Sequence, residues 1–229
     1  MNQVILDPQR DIEAKLGNVS LCRANLYQLL SKAIQYPVID LAESLLNGTF
    51  YSSIEQSINW VNAKDGMYNS GLEKLNKIRE NKDGYSPDEL LKKMEKEYNR
   101  LFLAPEKAIV SLYERDYTDK STTLNLASIE KAYSGIESDV LTDHHKLPDH
   151  IATELSYISY LGQQEGEAWL QSDMLEAKKW KVKERTFLVH HLRKWGISFF
   201  VDVERSTELD AYKAIASVGK VFMTLEHGN

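Results

Sequence analysis

Prolines at helix starts constrain the fold of this chain most strongly. Of its five prolines, three precede apolar residues at helical spacing: Pro8, Pro87 and Pro148. Proline suits the first helical position, because the N–H group that it lacks would have no partner there. Ser86 and Glu89 add a capping box around Pro87. No segment alternates apolar and polar residues as a strand would, so the pattern predicts an all-α fold.

Apolar spacing and turn residues predict roughly ten helices in two halves. The expected helices cover 8–33, 39–46, a segment led by a Ser53–Gln56 capping box, 72–79, a segment from Pro87, 126–133, a segment from Pro148, 167–179, 184–195 and 208–222. The periodicity fails over 104–122, which predicts a long loop between an N-terminal half, 1–103, and a C-terminal half, 123–229. We expect a single globular domain over 1–229, because a chain of this length buries a core without metal ions or cross-links.

The first helix is expected to bury an apolar face. Ile12, Leu16, Cys22 and Leu26 recur along it at helical spacing. Cys22 is the only cysteine, and we interpret it as an inert thiol among apolar neighbours rather than as a nucleophile. A chain with one cysteine has no internal disulfide framework, which suits a reducing compartment.

Charge and the N-terminal segment predict a cytoplasmic protein. The chain carries 34 acidic and 28 basic side chains, a net charge of −6, which disfavours broad binding to polyanions and slightly favours a cationic partner. Its first residues lack a basic start, a continuous apolar stretch and a twin-arginine pair, so we expect no export signal. No run approaches the roughly eighteen apolar residues of a membrane helix, so we expect no stable membrane insertion.

The segment LPDHIATEL, residues 147–155, places an acid and an imidazole side by side where a helix is expected to start. It resembles the proline–aspartate–histidine helix of the TorD/DmsD/NarJ family, the cytoplasmic chaperones of molybdenum-cofactor oxidoreductases. Residues 97–105, EYNRLFLAP, followed by LYERDY at 112–117, resemble a second family region. Phe187, His191 and Trp195 with their neighbours resemble a third. The three segments stand in the family order.

The resemblance implies a dedicated chaperone without enzymatic activity or a cofactor of its own. Such a protein binds the catalytic subunit of a molybdenum-cofactor oxidoreductase and the twin-arginine signal peptide of that subunit. It assists cofactor insertion and delays export until insertion is complete. A monomer and a domain-swapped dimer both stay open, because helical proteins with a hinge loop can exchange domains.

The candidate client-binding residues combine carboxylates with tyrosines. An acidic patch pairs with arginine guanidinium groups through charge-assisted hydrogen bonds, and tyrosines suit an adjoining amphipathic groove. The resemblance adds the aspartate–histidine pair. We assign signal-peptide or client binding to Tyr113, Glu114, Asp116, Tyr117, Asp149, His150, Glu154 and Tyr157. Two interpretations stay open, because carboxylates often only solvate a surface and tyrosines pack equally well in a core.

The sequence contains no complete motif for metal binding or for catalysis. Asp143, His144, His145, Asp149 and His150 lack the i, i+4 histidine pair of a helical zinc site, so we predict no metal site. The chain has no phosphate-binding loop, dinucleotide fingerprint or nucleophile elbow. We therefore predict no catalytic residues and no cofactor.

One basic run supports a rival interpretation. Residues 178–185, KKWKVKER, would suit an all-α nucleic-acid-binding regulator. A solvated helix face explains the same lysines more simply. We expect no nucleic-acid partner.

Overall fold

A computed structural model describes residues 8–61, 66–104, 108–118, 126–134, 136 and 147–228. Within these ranges the chain forms ten α-helices and no strand, so the all-α prediction is confirmed. The helices are α1 Pro8–Ala33, α2 Ile39–Asn47, α3 Thr49–Trp60, α4 Asn69–Glu80, α5 Pro87–Phe102, α6 Leu126–Tyr133, α7 Ile151–Leu170, α8 Met174–His190, α9 Gly196–Ser206 and α10 Asp210–Gly228. Two short 3₁₀ turns, Glu114–Asp116 and Leu192–Lys194, lie between them.

The start of α5 and the end of α2 lie where local signals in the sequence predict them. The capping box of α5 is formed in full: Ser86 Oγ accepts the Glu89 N–H at 3.3 Å, and the Glu89 carboxylate accepts the Ser86 N–H at 2.8 Å. Helix α2 ends at Gly48, whose φ of +83° is the left-handed conformation that glycine adopts without strain. The predicted limits of α6 are also confirmed.

The predicted starts of three helices, α3, α4 and α7, are wrong. Helix α3 begins at Thr49, directly after Gly48, so Ser53 lies inside the helix and its carbonyl accepts a hydrogen bond from Ser57. Helix α4 starts at Asn69 rather than at residue 72. Helix α7 starts at Ile151 and not at Pro148, because His150 is the N-cap.

The predicted helices 167–179 and 184–195 are also wrong. Helix α7 continues to Leu170, and the break follows at Ser172, whose φ is +60°. Asp173 then caps α8 by accepting the Glu176 N–H at 3.0 Å. Helix α8 ends at His190, five residues before the predicted end. Helix α10 starts at Asp210, two residues after the predicted start, and continues beyond residue 222.

Helices α1 and α7 pack closely along a seam of small residues. A β-carbon on Gly166 would lie 2.7 Å from Leu21 and 3.0 Å from the Gly17 carbonyl oxygen, and one on Gly162 would lie 3.2 Å from Ala24. Ser159 Oγ donates to the Ala24 carbonyl across the seam at 2.8 Å. The backbones approach this closely because the side chains between them are small.

The buried face of α1 therefore differs from the predicted apolar face. Ile12 and Leu16 are exposed, at 61% and 37%, whereas Leu26 is fully buried. Cys22 is only partly buried, and burial raises the pKa of its thiol, which agrees with an unreactive side chain.

One hydrophobic core connects the two halves of the chain. Helix α1 packs on α7, and α4 packs on α10, where Gly71 lies against Val218. The largest fully buried side chains come from both halves: Trp195, Tyr27, Tyr212, Phe199, Phe200 and Phe222. None of the described helices is long and apolar enough to cross a membrane.

Candidate client-binding site

The described part of the predicted loop, 108–118, is attached to the start of α7. The Glu114 N–H donates to the Asp149 carbonyl at 3.0 Å, and the Ile151 N–H donates to the Leu112 carbonyl at 2.9 Å. These bonds make an isolated antiparallel bridge between Tyr113 and His150. Residues 105–107 and 119–122 of the predicted loop lie outside the described residues. The segment that carries four of the predicted site residues thus has a fixed position beside α7.

Asp149 is paired inside the protein. Its carboxylate is fully buried and accepts two hydrogen bonds from Arg115, at 2.7 Å from Nε and 2.5 Å from Nη2. This bidentate pair is the strongest arrangement of an arginine and a carboxylate. Asp149 therefore does not face solvent, and the arginine that it binds is its own neighbour in the fold.

His150 caps α7. Its Nδ1 accepts the Ala152 N–H at 3.1 Å, which satisfies one of the free N–H groups at the helix start. The ring is buried and meets the Tyr113 ring edge-on, with 5.4 Å between centroids. Because Nδ1 accepts this bond, the ring proton of neutral His150 resides on Nε2.

Glu114 and Glu154 form a pair of fully buried acids beneath the loop. Trp195 Nε1 donates to Glu154 at 3.2 Å, and His191 Nδ1 lies 3.0 Å from Glu114. Burial and then the charge of Glu114 raise the pKa of Glu154 well above its usual range. Burial and this neighbouring charge therefore favour the neutral form of Glu154.

A groove of about 930 Å³ lies between the Glu114–Asp116 turn and helices α6, α7 and α8. Its apolar lining includes Tyr157, Tyr160, Leu161, Trp180 and Phe187. Aromatic rings pack edge to face along it, with 4.7 Å between the centroids of Tyr157 and Phe187 and 6.0 Å between those of Tyr160 and Trp180. Apolar, partly preformed grooves of this size are typical of sites that bind a ligand or an apolar peptide segment.

Three of the predicted site residues line this groove, and five do not. Glu114, Tyr117 and Tyr157 belong to its lining. The remaining five residues lie elsewhere: Tyr113, Asp116, Asp149, His150 and Glu154. The predicted surface patch of four carboxylates is wrong as a surface feature, because Glu114, Asp149 and Glu154 are buried. Asp116 alone among them is exposed, and it accepts a hydrogen bond from Ser111 Oγ.

Helix α8 supplies groove residues that the sequence prediction missed. Trp180, Lys183, Phe187 and His190 are spaced i, i+3, i+7 and i+10, which places them on one face of the helix. The basic run around them obscured this pattern. The i, i+7 spacing of Trp180, inside the run, and Phe187, two residues after it, is the sequence signal for this face.

The lysines of this run do not form one basic face. Lys179 pairs with Glu176 at 2.9 Å, and Lys181 lies 3.4 Å from Glu165. Lys183 lies over the Trp180 ring at 4.1 Å from its centroid. The run is therefore divided around α8, unlike the continuous basic stripe of a nucleic-acid-binding helix.

The residues considered for a metal site form no metal-binding cluster in the part of the chain that the structure describes. Asp143, His144 and His145 lie outside the described residues. Elsewhere in the described ranges, no group of three or more histidine, cysteine, aspartate and glutamate side chains has the arrangement of a metal site.

Comparison with known proteins identifies the family. Residues 66–201 match the family model described as nitrate reductase delta subunit. The chain belongs to this family. These are the NarJ/TorD-type chaperones of molybdoenzyme maturation, so the resemblance found in the sequence is confirmed.

A curated relative agrees with this assignment. The chain is 32% identical over 104 residues to a selenate reductase assembly chaperone protein of Thauera selenatis. The matched stretch covers 44% of this chain and 53% of the relative, so it spans about half the length of that protein. No solved structure matches the chain.

Proposed function

We propose that this chain is a dedicated chaperone that binds the catalytic subunit of a molybdenum-cofactor oxidoreductase during its assembly. One observation carries the proposal: the family match over 66–201 includes every described residue of the groove, from Glu114 to Lys194. The groove supplies the apolar surface that such a client needs. A non-enzymatic role follows from this family membership.

The groove is the proposed site for the apolar segment of the client's N-terminal signal. An amphipathic or apolar helix binds in a groove by inserting side chains at i, i+3, i+4 and i+7. Tyr160 of α7 and Trp180 of α8 are partly exposed aromatic residues that pack against each other in the groove lining, and such residues often carry much of the binding energy. A chaperone that covers the signal in this way would delay export until the cofactor is inserted.

The arginines of a twin-arginine signal require an accessible carboxylate, and Asp116 is the proposed contact. It is exposed and adjoins Tyr117, which lines the groove. In this proposal Asp149 and His150 do not contact the client and act through the loop. They hold the Tyr113–Tyr117 segment in position through the ion pair with Arg115 and the cap of α7.

Quantitative capture tests the proposed function. The full-length tagged chain and its variants are incubated with extract from anaerobically grown source cells, and bound proteins are measured by mass spectrometry. We expect wild type to retain one molybdoenzyme catalytic subunit, and the Tyr160→Ala/Trp180→Ala variant to lose at least about 90% of it, which corresponds to tenfold weaker binding.

A matched variant controls for the loss of aromatic residues. Trp60→Ala/Tyr85→Ala removes the same side-chain types at sites that do not line the groove. It should capture the subunit as wild type does. Absence of any molybdoenzyme subunit from the wild-type sample would refute the proposed function, and equal capture by both double variants would exclude the groove.

A further inference from the structure

The charged lining of the groove has the opposite sign to the chain as a whole. The chain carries a net charge of −6, yet the described lining holds three lysines and two histidines against a single carboxylate. That carboxylate, Glu114, is fully buried and bonded to His191. The net charge presented at the mouth of the groove is therefore positive.

The three lysines, here called the lysine rim, are Lys131, Lys183 and Lys194. They come from α6, α8 and the Leu192–Lys194 turn, so they surround the groove from three elements. All three are exposed, and none forms an ion pair with another described residue. The ammonium groups of Lys131 and Lys194 are available to a bound partner, and that of Lys183 is exposed above the Trp180 ring.

The rim extends along the groove rather than converging on one point. From Lys183 to the end of α8 at His190 the helix rises about 10 Å, and Lys194 lies beyond that end. A single phosphate or carboxylate does not span that separation. Several acidic groups distributed along a chain do.

We propose that the client segment bound in this groove carries carboxylates beside its apolar residues, and that the lysine rim pairs with them. This inference rests on the proposed function for the existence of a client, and it specifies the chemistry of the bound segment. The apolar lining supplies contact area, and the rim sets the orientation of the bound segment by pairing with its carboxylates. The arginines of a twin-arginine signal accordingly lie outside the lysine rim.

Two synthetic helical peptides test the proposal. They share one leucine face and differ only at their polar positions, which are glutamate in one peptide and lysine in the other. Binding to the full-length protein is measured by fluorescence anisotropy at low and high salt. We expect the glutamate peptide to bind at least about tenfold more tightly at low salt, and the difference to shrink at high salt.

Charge-reversed variants locate the effect. Lys131→Glu/Lys183→Glu/Lys194→Glu should reverse the preference, so that the lysine peptide binds more tightly. The control Lys32→Glu/Lys92→Glu/Lys96→Glu changes the net charge by the same amount at exposed lysines outside the groove and should keep the wild-type preference. A lysine-to-glutamine triple at the rim removes charge without reversal and should abolish the preference. Circular dichroism verifies that each variant is folded.

Several results would overturn the proposal. Equal binding of the two peptides, an unchanged preference in the rim triple, or no binding of either peptide would each do so. Binding to vesicles of anionic lipid or to duplex DNA with no peptide preference would assign the lysines to another partner. If wild type and the rim triple capture the molybdoenzyme subunit equally, the proposed function stands and this inference fails.

Discussion

Two pairs of buried glutamates differ in how their charge is balanced. Glu184 and Glu226 share Arg23: its Nη2 lies 2.9 Å from Glu184, and its Nε donates to Glu226 at 2.9 Å. Within the described ranges no arginine pairs with Glu114 or Glu154; His191 lies beside Glu114, and Trp195 donates to Glu154. In the first pair, Arg23 of α1 joins Glu184 of α8 to Glu226 of α10 through ion pairs. In the second pair, burial favours a protonated Glu154.

The pKa values follow this difference. Ion pairing with Arg23 outweighs burial at Glu226 and lowers its pKa, while burial raises the pKa of Glu184 to about 7. At Glu154 nothing outweighs burial and the charge of Glu114, so its pKa is raised well above the usual range. Arg23 thus lowers the pKa of Glu226, whereas burial keeps the pKa of Glu184 raised beside the same cation.

Removal of Arg23 should have the largest effect on stability. Arg23→Met leaves Glu184 and Glu226 buried without their cation, which should lower the free energy of unfolding by about 3–5 kcal/mol. Urea denaturation followed by circular dichroism measures the loss. Adding Glu226→Gln to Arg23→Met should recover part of it, and no recovery would mean that the uncompensated charge is not the cause.

Neutralising Glu226 should have a smaller effect. Glu226→Gln loses charged hydrogen bonds to Arg23 and Tyr27, at a cost of about 2–3 kcal/mol near neutral pH. Because the folded pKa of Glu226 is lowered, its contribution is present above the unfolded pKa and disappears as pH falls through the folded one. The stability difference from wild type should therefore shrink in acid, and a constant difference would contradict the ion pair.

Asp149→Asn should cost about 1.5 kcal/mol, since the Arg115 side chain is 38% exposed and water can solvate it after the pair is lost. Arg115→Gln should cost more than Asp149→Asn, because it leaves the fully buried Asp149 carboxylate without its cation. A double-mutant cycle by urea denaturation should show coupling between the two positions. Strictly additive losses would mean that the bidentate pair contributes nothing to stability.

Glu154→Gln should have the smallest effect, below about 1 kcal/mol, because the wild-type side chain is already neutral. Its pH dependence should be opposite to that of Glu226→Gln. A raised folded pKa gives stability that is full below the unfolded pKa, near 4.5, and is lost as pH rises above it. The variant should thus gain stability relative to wild type as pH increases, measured by thermal melts across pH.

Local signals in the sequence explain which helices were predicted correctly. Pro87 and Ser86 specify the start of α5 within a few residues, and Gly48 specifies the end of α2. The start of α7 was misplaced because Pro148 and Asp149 look like a first turn. In the fold Asp149 pairs with Arg115 from the loop, and His150 becomes the cap.

Long-range packing explains most of what was missed at the site and along α1. The exposure of Ile12 follows from the seam that Gly17 makes with α7, and no periodicity within α1 reveals a partner 149 residues away at Gly166. Of the predicted patch, Glu114 and Asp149 lie close enough to Glu154 for their charges to raise its pKa. Their burial depends on Arg115, His191 and Trp195, which come from other elements.

The seam of small residues between α1 and α7 also limits where this protein can be truncated. The family match begins at residue 66, so it includes α7 and excludes α1. A fragment limited to the matched residues would leave Gly162 and Gly166 facing water, with Ser159 deprived of its acceptor at Ala24. A fragment that begins at residue 66 would therefore expose a surface of α7 with too few side chains to shield its backbone from water. Truncations intended to isolate the groove should retain residues 8–33.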